Sequence, residues 1–165
     1  SACWNSGVPV PRMRWLELRL PPLLVAVVFA GVMYAAALAI PRASVPLPAR
    51  GAFAIALALL GALIALAGVV AFRRRGATVN PLTPGASTAI VSSGVYRFSR
   101  NPMYLGFLLA LVGWAVYLST VAAFMLLPLF IAYMNQFQIK PEERALGERF
   151  GPQFSQYTAS VRRWL

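Results

Sequence analysis

Three long apolar stretches of this sequence contain no charged side chain. Residues 20–40 and 52–72 are 21 residues each and are bracketed by arginines. A hydrocarbon layer of about 30 Å requires roughly 20 helical residues to cross it. Each of these two stretches therefore predicts one transmembrane helix.

The third apolar stretch, residues 103–139, is 37 residues long and exceeds the length of one crossing. Ser119 and Thr120 divide it, which predicts a tight hairpin of two helices. The chain is 59% hydrophobic, more than a soluble domain needs to fill one core. The predicted fold class is an all-α integral membrane protein with about four transmembrane helices, followed by short cytoplasmic amphipathic helices at the C-terminus.

Basic residues are distributed unevenly among the segments outside the predicted helices. Thirteen of the 15 lie before the first helix, between the second and third, or after the fourth, whereas only Arg42 and Arg50 lie between the first and second. The positive-inside rule predicts a multi-pass protein of the inner (plasma) membrane with both termini in the cytoplasm. Topology and attraction to lipid headgroups explain the net charge of +11, so no nucleic-acid partner is expected.

Small residues recur on one face of the second helix. They have a spacing of three or four, which predicts close packing against another helix; a ligand groove lined by small residues is the alternative. They are Ala54, Ala58, Gly61, Ala65 and Gly68.

The polar tail after the fourth helix has two structural signals. Pro141 followed by Glu142 and Glu143 is typical of a helix start, because proline fits the first helical position and carboxylates suit the positive end of the helix dipole. Gly151 and Pro152 then interrupt the helical pattern. The tail predicts two short amphipathic helices on the membrane surface.

Few residues are available for chemistry. The four carboxylates are Glu17, Glu142, Glu143 and Glu148, and none lies in a predicted span, which argues against a proton-coupled transporter. The chain has one cysteine and no histidine, so a zinc or other His/Cys metal centre is not expected. The two ends of the hairpin bring residues 96–106 and the Glu142–Glu143 pair to the same membrane face.

These motifs, in this order, resemble a known family. The turn GVYRFSRNPMYLG at 94–106 is followed, after the apolar hairpin, by PEERAL at 141–146 and by FGPQFSQY at 150–157. The pattern resembles the isoprenylcysteine carboxyl methyltransferase family and the related phospholipid N-methyltransferases, over about residues 76–163. The family turn has a histidine where this chain has Asn101.

The resemblance implies S-adenosylmethionine as the cofactor. It implies that the turn holds the cofactor, that Gly106 lets the backbone approach it closely, and that the glutamates accept hydrogen bonds from its ammonium group or ribose hydroxyls. The tyrosines would face its adenine or sulfonium. The catalytic residues would be Arg100, Asn101, Tyr104, Glu142 and Glu143, and the cofactor-binding residues Tyr96, Arg97, Pro102, Tyr104, Leu105, Gly106, Glu142, Glu143, Leu146 and Tyr157.

The resemblance and the spans together divide the chain into three parts. Residues 1–12 precede Met13 and are expected to be an extension or a disordered N-terminus, and residues 13–75 carry helices one and two. Residues 76–165 would be the methyltransferase catalytic region, with a cytoplasmic loop, the hairpin and the tail. The loop, residues 76–95, is rich in Pro, Gly, Ser and Thr and is expected to be functional.

The expected function is methylation of a lipophilic small-molecule or prenylated acceptor that enters from the bilayer. Asparagine cannot act as a base at neutral pH, and a carboxylate acceptor needs none, which favours O-methylation of an isoprenylcysteine-like carboxylate. Phospholipid N-methylation and thiol S-methylation remain alternatives, as does a non-catalytic helical scaffold or small transporter. On that last interpretation, Arg97 and Arg100 only flank the membrane and the glutamates only begin a helix.

Overall fold

The computed structural model describes residues 20–40, 49–74 and 90–165, and this part of the chain forms helices and no strand. The helices are α1 (Pro22–Ala39), α2 (Arg50–Arg74), α3 (Pro102–Leu118), α4 (Val121–Met134), α5 (Lys140–Phe150) and α6 (Pro152–Ser160). A 3-10 turn spans Gly94–Arg97, and a π-helical turn spans Asn135–Ile139. The predicted extension at residues 1–12 and most of the predicted loop lie outside the described residues.

Three helical segments in the described ranges are long and apolar enough to cross a membrane. They are Pro22–Ala39, Arg50–Arg74 and the continuous segment Val121–Phe150. The apolar helix Pro102–Leu118 has 17 residues. Leucines such as Leu38 and Leu63 are 65% and 64% exposed on the outer surface, as expected where lipid replaces water. The prediction of an all-α membrane protein is confirmed.

The hairpin between α3 and α4 turns at the predicted position. Ser119 ends α3 in the left-handed conformation, with φ 52° and ψ 40°. Thr120 begins α4, because its hydroxyl accepts a hydrogen bond of 3.4 Å from the amide of Ala123. A left-handed residue followed by a capping threonine reverses the chain within two residues.

The prediction that Pro141 lies at the start of a helix is confirmed, because α5 begins at Lys140 and has Pro141 in its first turn, but this helix is continuous with α4. Ile139 and Lys140 already have helical dihedral angles, so the helix runs on from α4 through the π-helical turn into α5. Proline within a helix removes a hydrogen bond and crowds the carbonyl four residues earlier. The wider π-helical turn immediately before Pro141 accommodates this disruption without ending the helix. The break predicted at Gly151 is confirmed, where φ is +48°.

Helices α2 and α3 pack closely through their small residues. A Cβ atom added to Gly61 would lie 2.5 Å from the carbonyl oxygen of Gly106, and one added to Gly113 would lie 2.8 Å from that of Ala54. Backbones this close leave no room for a side chain. The prediction that the small face of the second helix packs against another helix is therefore confirmed.

The contacts also define which helix ends lie together. The side-chain amide of Gln138 donates a 2.9 Å hydrogen bond to the carbonyl of Leu20, next to the start of α1. Gly68, near the end of α2, lies against Pro102 at the start of α3. The start of α1, the end of α2, the start of α3 and the end of α4 therefore share one end of the bundle.

We expect Gly61→Ala to destabilise the protein. The added methyl would overlap the Gly106 carbonyl, and overpacking of this kind costs about 1–3 kcal/mol of unfolding free energy. Gly31→Ala in α1 is the matched control, because a Cβ there meets nothing within 4 Å. Unfolding in detergent, followed by circular dichroism, measures both. Equal stability of the two variants would contradict the close α2–α3 contact.

Candidate active site

Polar side chains gather where α3 begins and where the α4 helix runs into α5. They come from the turn before α3, from its first helical turn, from the start of α5, from α6 and from the chain end. They are Tyr96, Arg100, Asn101, Tyr104, Glu142, Glu143, Tyr157 and Arg163. Seven of these eight were predicted site residues, brought together from positions up to 61 residues apart.

The turn before α3 is fixed by local hydrogen bonds. The buried Ser99 hydroxyl accepts a 3.1 Å bond from the amide of Asn101. Asn101 is not helical, with φ −128° and ψ 58°, and Pro102 follows it at the start of α3. Proline suits this position because its ring fixes φ and no amide hydrogen is needed there. The turn consequently holds Arg100 and Asn101 at the N-terminus of α3.

Tyr104 and Glu142 form the innermost pair of the site. The buried Tyr104 hydroxyl donates a hydrogen bond to Oε1 of Glu142. Glu142 lies beyond Ile139, where the uncharged part of the α4–α5 helix ends. Burial raises the pKa of Glu142 above its ordinary value, although the hydrogen bond from Tyr104 opposes that shift. This carboxyl therefore holds its proton to higher pH than a solvated glutamate.

Glu143 is shared by two arginines. Its Oε1 lies 3.1 Å from the Arg100 guanidinium, and Arg163 approaches both of its oxygens, with Nε at 3.1 Å and Nη2 at 2.5 Å. The side chains of Glu143 and Arg100 are only 19% and 15% exposed. Such a forked arginine–carboxylate pair fixes the orientation of the carboxylate as well as its charge.

Two polar atoms at this site have no hydrogen-bond partner among the described residues. They are the buried hydroxyl of Tyr96 and the buried Nε of Arg100. Tyr157 donates a 2.9 Å hydrogen bond to the Tyr96 carbonyl and so anchors α6 to the turn. Burial raises the pKa of Tyr96, so its hydroxyl stays protonated. Buried donors left unpaired are costly, and these two fit a bound ligand that carries polar acceptors.

Several predicted site residues lie outside this cluster. Arg97 is exposed, and Leu105 is buried on α3. Leu146 is half-buried on α5, in the turn of helix that follows Glu142 and Glu143. Gly106 faces Gly61 and Ala65 of α2, and Pro102 faces Gly68. The close backbone approach expected at Gly106 is thus made by a neighbouring helix, which is itself sufficient reason for a glycine there.

Sequence reasoning missed the role of the chain end. Arg163 counted only as one of many basic residues, although it pairs with Glu143. The Trp164 indole donates a 3.1 Å hydrogen bond to Oδ1 of Asn135. Neither residue belongs to a local motif, because the contacts depend on the tail folding back over the turn. The one available signal was composition, because two arginines and a tryptophan follow the last amphipathic helix at residues 162–164.

An open apolar groove runs between α3 and α4 beside the polar cluster. Its volume is about 580 Å³. It is lined by Leu108, Val112, Phe124, Leu127, Pro128, Ile131, Ala132 and Asn135. Leu108 lies one helical turn after Tyr104 on the same face of α3, so the groove leads toward the Tyr104–Glu142 pair.

The described residues contain no group of three or more His, Cys, Asp or Glu side chains that could hold a metal ion.

Together, the helices and the cluster define a helical membrane protein with a polar site at one end of its bundle. The sequence profile of the phospholipid methyltransferase family matches residues 49–153, more than half of the chain. The protein belongs to this family and is a membrane methyltransferase.

The chain is also similar to an uncharacterized protein of Haemophilus influenzae (strain ATCC 51907 / DSM 11121 / KW20 / Rd). The two are 43% identical over 63 residues, which are 38% of this chain and the whole of that protein. No solved structure matches the chain.

We expect Glu143→Gln to loosen the site. The neutral amide would leave the largely buried Arg100 guanidinium and the 34% exposed Arg163 guanidinium without their carboxylate, and a lost partner costs about 1–3 kcal/mol for a buried group and less for an exposed one. Glu148→Gln is the control, because Glu148 is exposed on the same helix. Thermal unfolding in detergent compares them. If both variants melt like the wild type, the ion pairs do not stabilise the fold.

Proposed function

We propose that this protein transfers a methyl group from S-adenosylmethionine to a lipophilic acceptor that enters laterally from the bilayer. The observation that carries the proposal is the position of the polar cluster at the end of an apolar groove. Among the described residues, the cluster has unpaired buried donors, and the groove between the apolar helices α3 and α4 is open. A cofactor soluble in water and an acceptor soluble in lipid need such a junction.

The residues of the cluster fit the cofactor. The Tyr96 hydroxyl and Arg100 Nε, which have no partner among the described residues, would donate to its carboxylate or adenine, and Glu142 and Glu143 would accept from its ammonium group or ribose hydroxyls. When bound, S-adenosylmethionine supplies a methyl group on a positively charged sulfur. Tyr96, Tyr104 and Tyr157 belong to the cluster, and their aromatic rings would attract such a charge.

The groove fits an acceptor with a long apolar chain. Its side chains are aliphatic or aromatic except for Asn135. A chain lying along α4 in the groove would bring a polar head to the level of Tyr104 and Glu142. Holding a head group about 3–3.5 Å from the methyl carbon and in line is worth up to about 7–11 kcal/mol. Positioning can therefore supply much of the catalysis here.

The chemistry of the head group favours a carboxylate. A carboxylate is ionised at neutral pH and attacks without losing a proton. The chain has no histidine, and Asn101 is not a base. We therefore propose O-methylation of an isoprenylcysteine-like carboxylate as the specific reaction, with the site and both termini on the cytoplasmic side of the inner membrane, where most of the arginines predict them.

One observation favours a second acceptor. The raised pKa of Glu142 makes it a better base than an ordinary glutamate, and a phospholipid amine needs a base to remove its ammonium proton. The family profile is that of phospholipid methyltransferases. Phospholipid N-methylation with Glu142 as the base is accordingly the alternative.

We expect purified protein to bind S-adenosylmethionine, and we expect Tyr104→Phe to weaken that binding about tenfold. The substitution removes the hydrogen bond that orients Glu142, a net loss of about 0.5–1.5 kcal/mol, and each 1.4 kcal/mol is a factor of ten. Tyr117→Phe is the matched control, because Tyr117 is 51% exposed near the opposite end of α3. Isothermal titration calorimetry gives both affinities. No heat of binding to the wild type would rule out the proposed function.

We expect the two acceptors to differ in pH dependence. With a farnesylated cysteine as the probe, label from the cofactor should form a methyl ester at a rate that stays level across neutral pH. With phosphatidylethanolamine vesicles, label should enter lipid at a rate that rises with pH, because Glu142 acts as a base only above its raised pKa. Labelling of one probe alone identifies the acceptor class, and labelling of neither contradicts both.

A further inference from the structure

The last five residues of the chain, 161–165, form a strap that lies across the turn before α3. After α6 ends at Ser160, the backbone of Val161 becomes extended, with φ −126° and ψ 133°. The strap then makes backbone and side-chain contacts with three separate parts of the bundle. We refer to residues 161–165 as the C-terminal strap.

Two hydrogen bonds join the strap backbone to the turn. The amide of Arg100 donates to the carbonyl of Arg162 at 3.0 Å, and the side-chain amide of Asn101 donates to the carbonyl of Arg163 at 3.0 Å. Consecutive carbonyls of the strap are thus bound by consecutive residues of the turn. This pairing fixes the path of the strap, and hence the direction in which the Arg163 side chain leaves it.

The Arg163 side chain links the strap to the carboxylate of Glu143. Its guanidinium makes the forked contact with Glu143, whose Oε1 also contacts Arg100. The next residue, Trp164, also anchors the strap, because its indole donates a hydrogen bond to Asn135, which lines the groove. Asn101, the strap and Glu143 therefore form one connected chain of contacts.

We propose that Asn101 and Arg163 are a positioning pair, which fixes the C-terminal strap on the turn and so orients Glu143 toward the cofactor. The inference rests on the proposed function, because it assigns Glu143 to cofactor binding. Asn101 acts through its N–H donor and takes no proton. Neither member of the pair needs to touch a reacting atom.

The donor role of Asn101 also accounts for the difference from the family turn, in which a histidine occupies this position. An imidazole N–H and an amide N–H are both hydrogen-bond donors of similar reach, whereas only the imidazole is a base near neutral pH. If donation to the strap is the role of this position, asparagine retains it. The pair thus predicts which substitutions at position 101 preserve the site.

The first test measures whether Asn101 holds the strap. Asn101→Ala should increase hydrogen exchange at the Arg100 amide and in residues 161–165, and Asn101→His should restore protection by restoring a donor. Both variants are measured by hydrogen-exchange mass spectrometry on the full chain in detergent. This readout requires no cofactor. Unchanged exchange in Asn101→Ala would overturn the role of Asn101.

The second test measures whether the strap orients Glu143. Arg163→Gln and Asn101→Ala should each weaken S-adenosylmethionine binding about tenfold in calorimetry, as expected for the loss of one interaction of about 1.4 kcal/mol. Asn101→His should bind within about threefold of the wild type, and Arg163→Lys should recover only part of the affinity, because lysine lacks the fork that matches a carboxylate. In turnover assays, the KM for the cofactor should rise more than kcat falls.

Arg162→Gln is the matched control, because it removes the same charge from the adjacent residue. The Arg162 side chain is exposed, and the carbonyl that Arg100 contacts is kept. Its cofactor affinity should stay within about twofold of the wild type. If the wild type binds cofactor and Arg163→Gln binds equally well, the positioning role is refuted while the proposed function stands. If the wild type does not bind, the proposed function itself fails.

Discussion

Every other feature of this protein depends on a solvent that offers the backbone no hydrogen-bond partner. In hydrocarbon, a chain must satisfy its own amides and carbonyls, which leaves helices as the spanning elements of an all-α protein. Apolar side chains gain nothing by leaving lipid for the bundle interior, so association must come from close contact between backbones. Gly61, Gly106 and Gly113 provide that contact between α2 and α3. The same solvent confines charged chemistry to the helix ends, where the candidate site lies.

At that end of the bundle, the site carboxyl groups are only partly hydrated and need partners within the protein. Glu143 is compensated by Arg100 and Arg163, and Glu142 by a hydrogen bond from Tyr104. The two carboxylates are adjacent in sequence but have different partners, because neighbouring residues on a helix point about 100° apart. One carboxyl group therefore lies between two guanidinium groups, and the other, whose pKa is raised by burial, accepts a hydrogen bond from a tyrosine. This division gives a site without histidine two acidic groups with different properties.

The sequence was sufficient for features that follow from local composition. The lengths of the apolar stretches predicted the helices, Ser119 and Thr120 predicted the hairpin, and the small residues of α2 predicted its packing. Pro141 and the two glutamates predicted the start of α5 but not its continuity with α4, because the π-helical turn before Pro141 accommodates a proline without ending the helix. Among the site residues, the turn and the glutamates were recognisable as motifs. The contact of Arg163 with Glu143 was not, because it joins residues 20 positions apart through a fold-back without a repeating pattern.

The absence of histidine from the chain bears on what the turn does. A general base must take a proton, but an orienting group needs only to donate one hydrogen bond in a fixed direction. At position 101, the observed bond runs from the side chain to a main-chain carbonyl, 62 residues along the chain. That carbonyl is not a reacting group, so the geometry favours an orienting role. A methyl transfer that depends on alignment rather than on proton removal places its demands on residues of this kind, and therefore on the polar tail as much as on the helices.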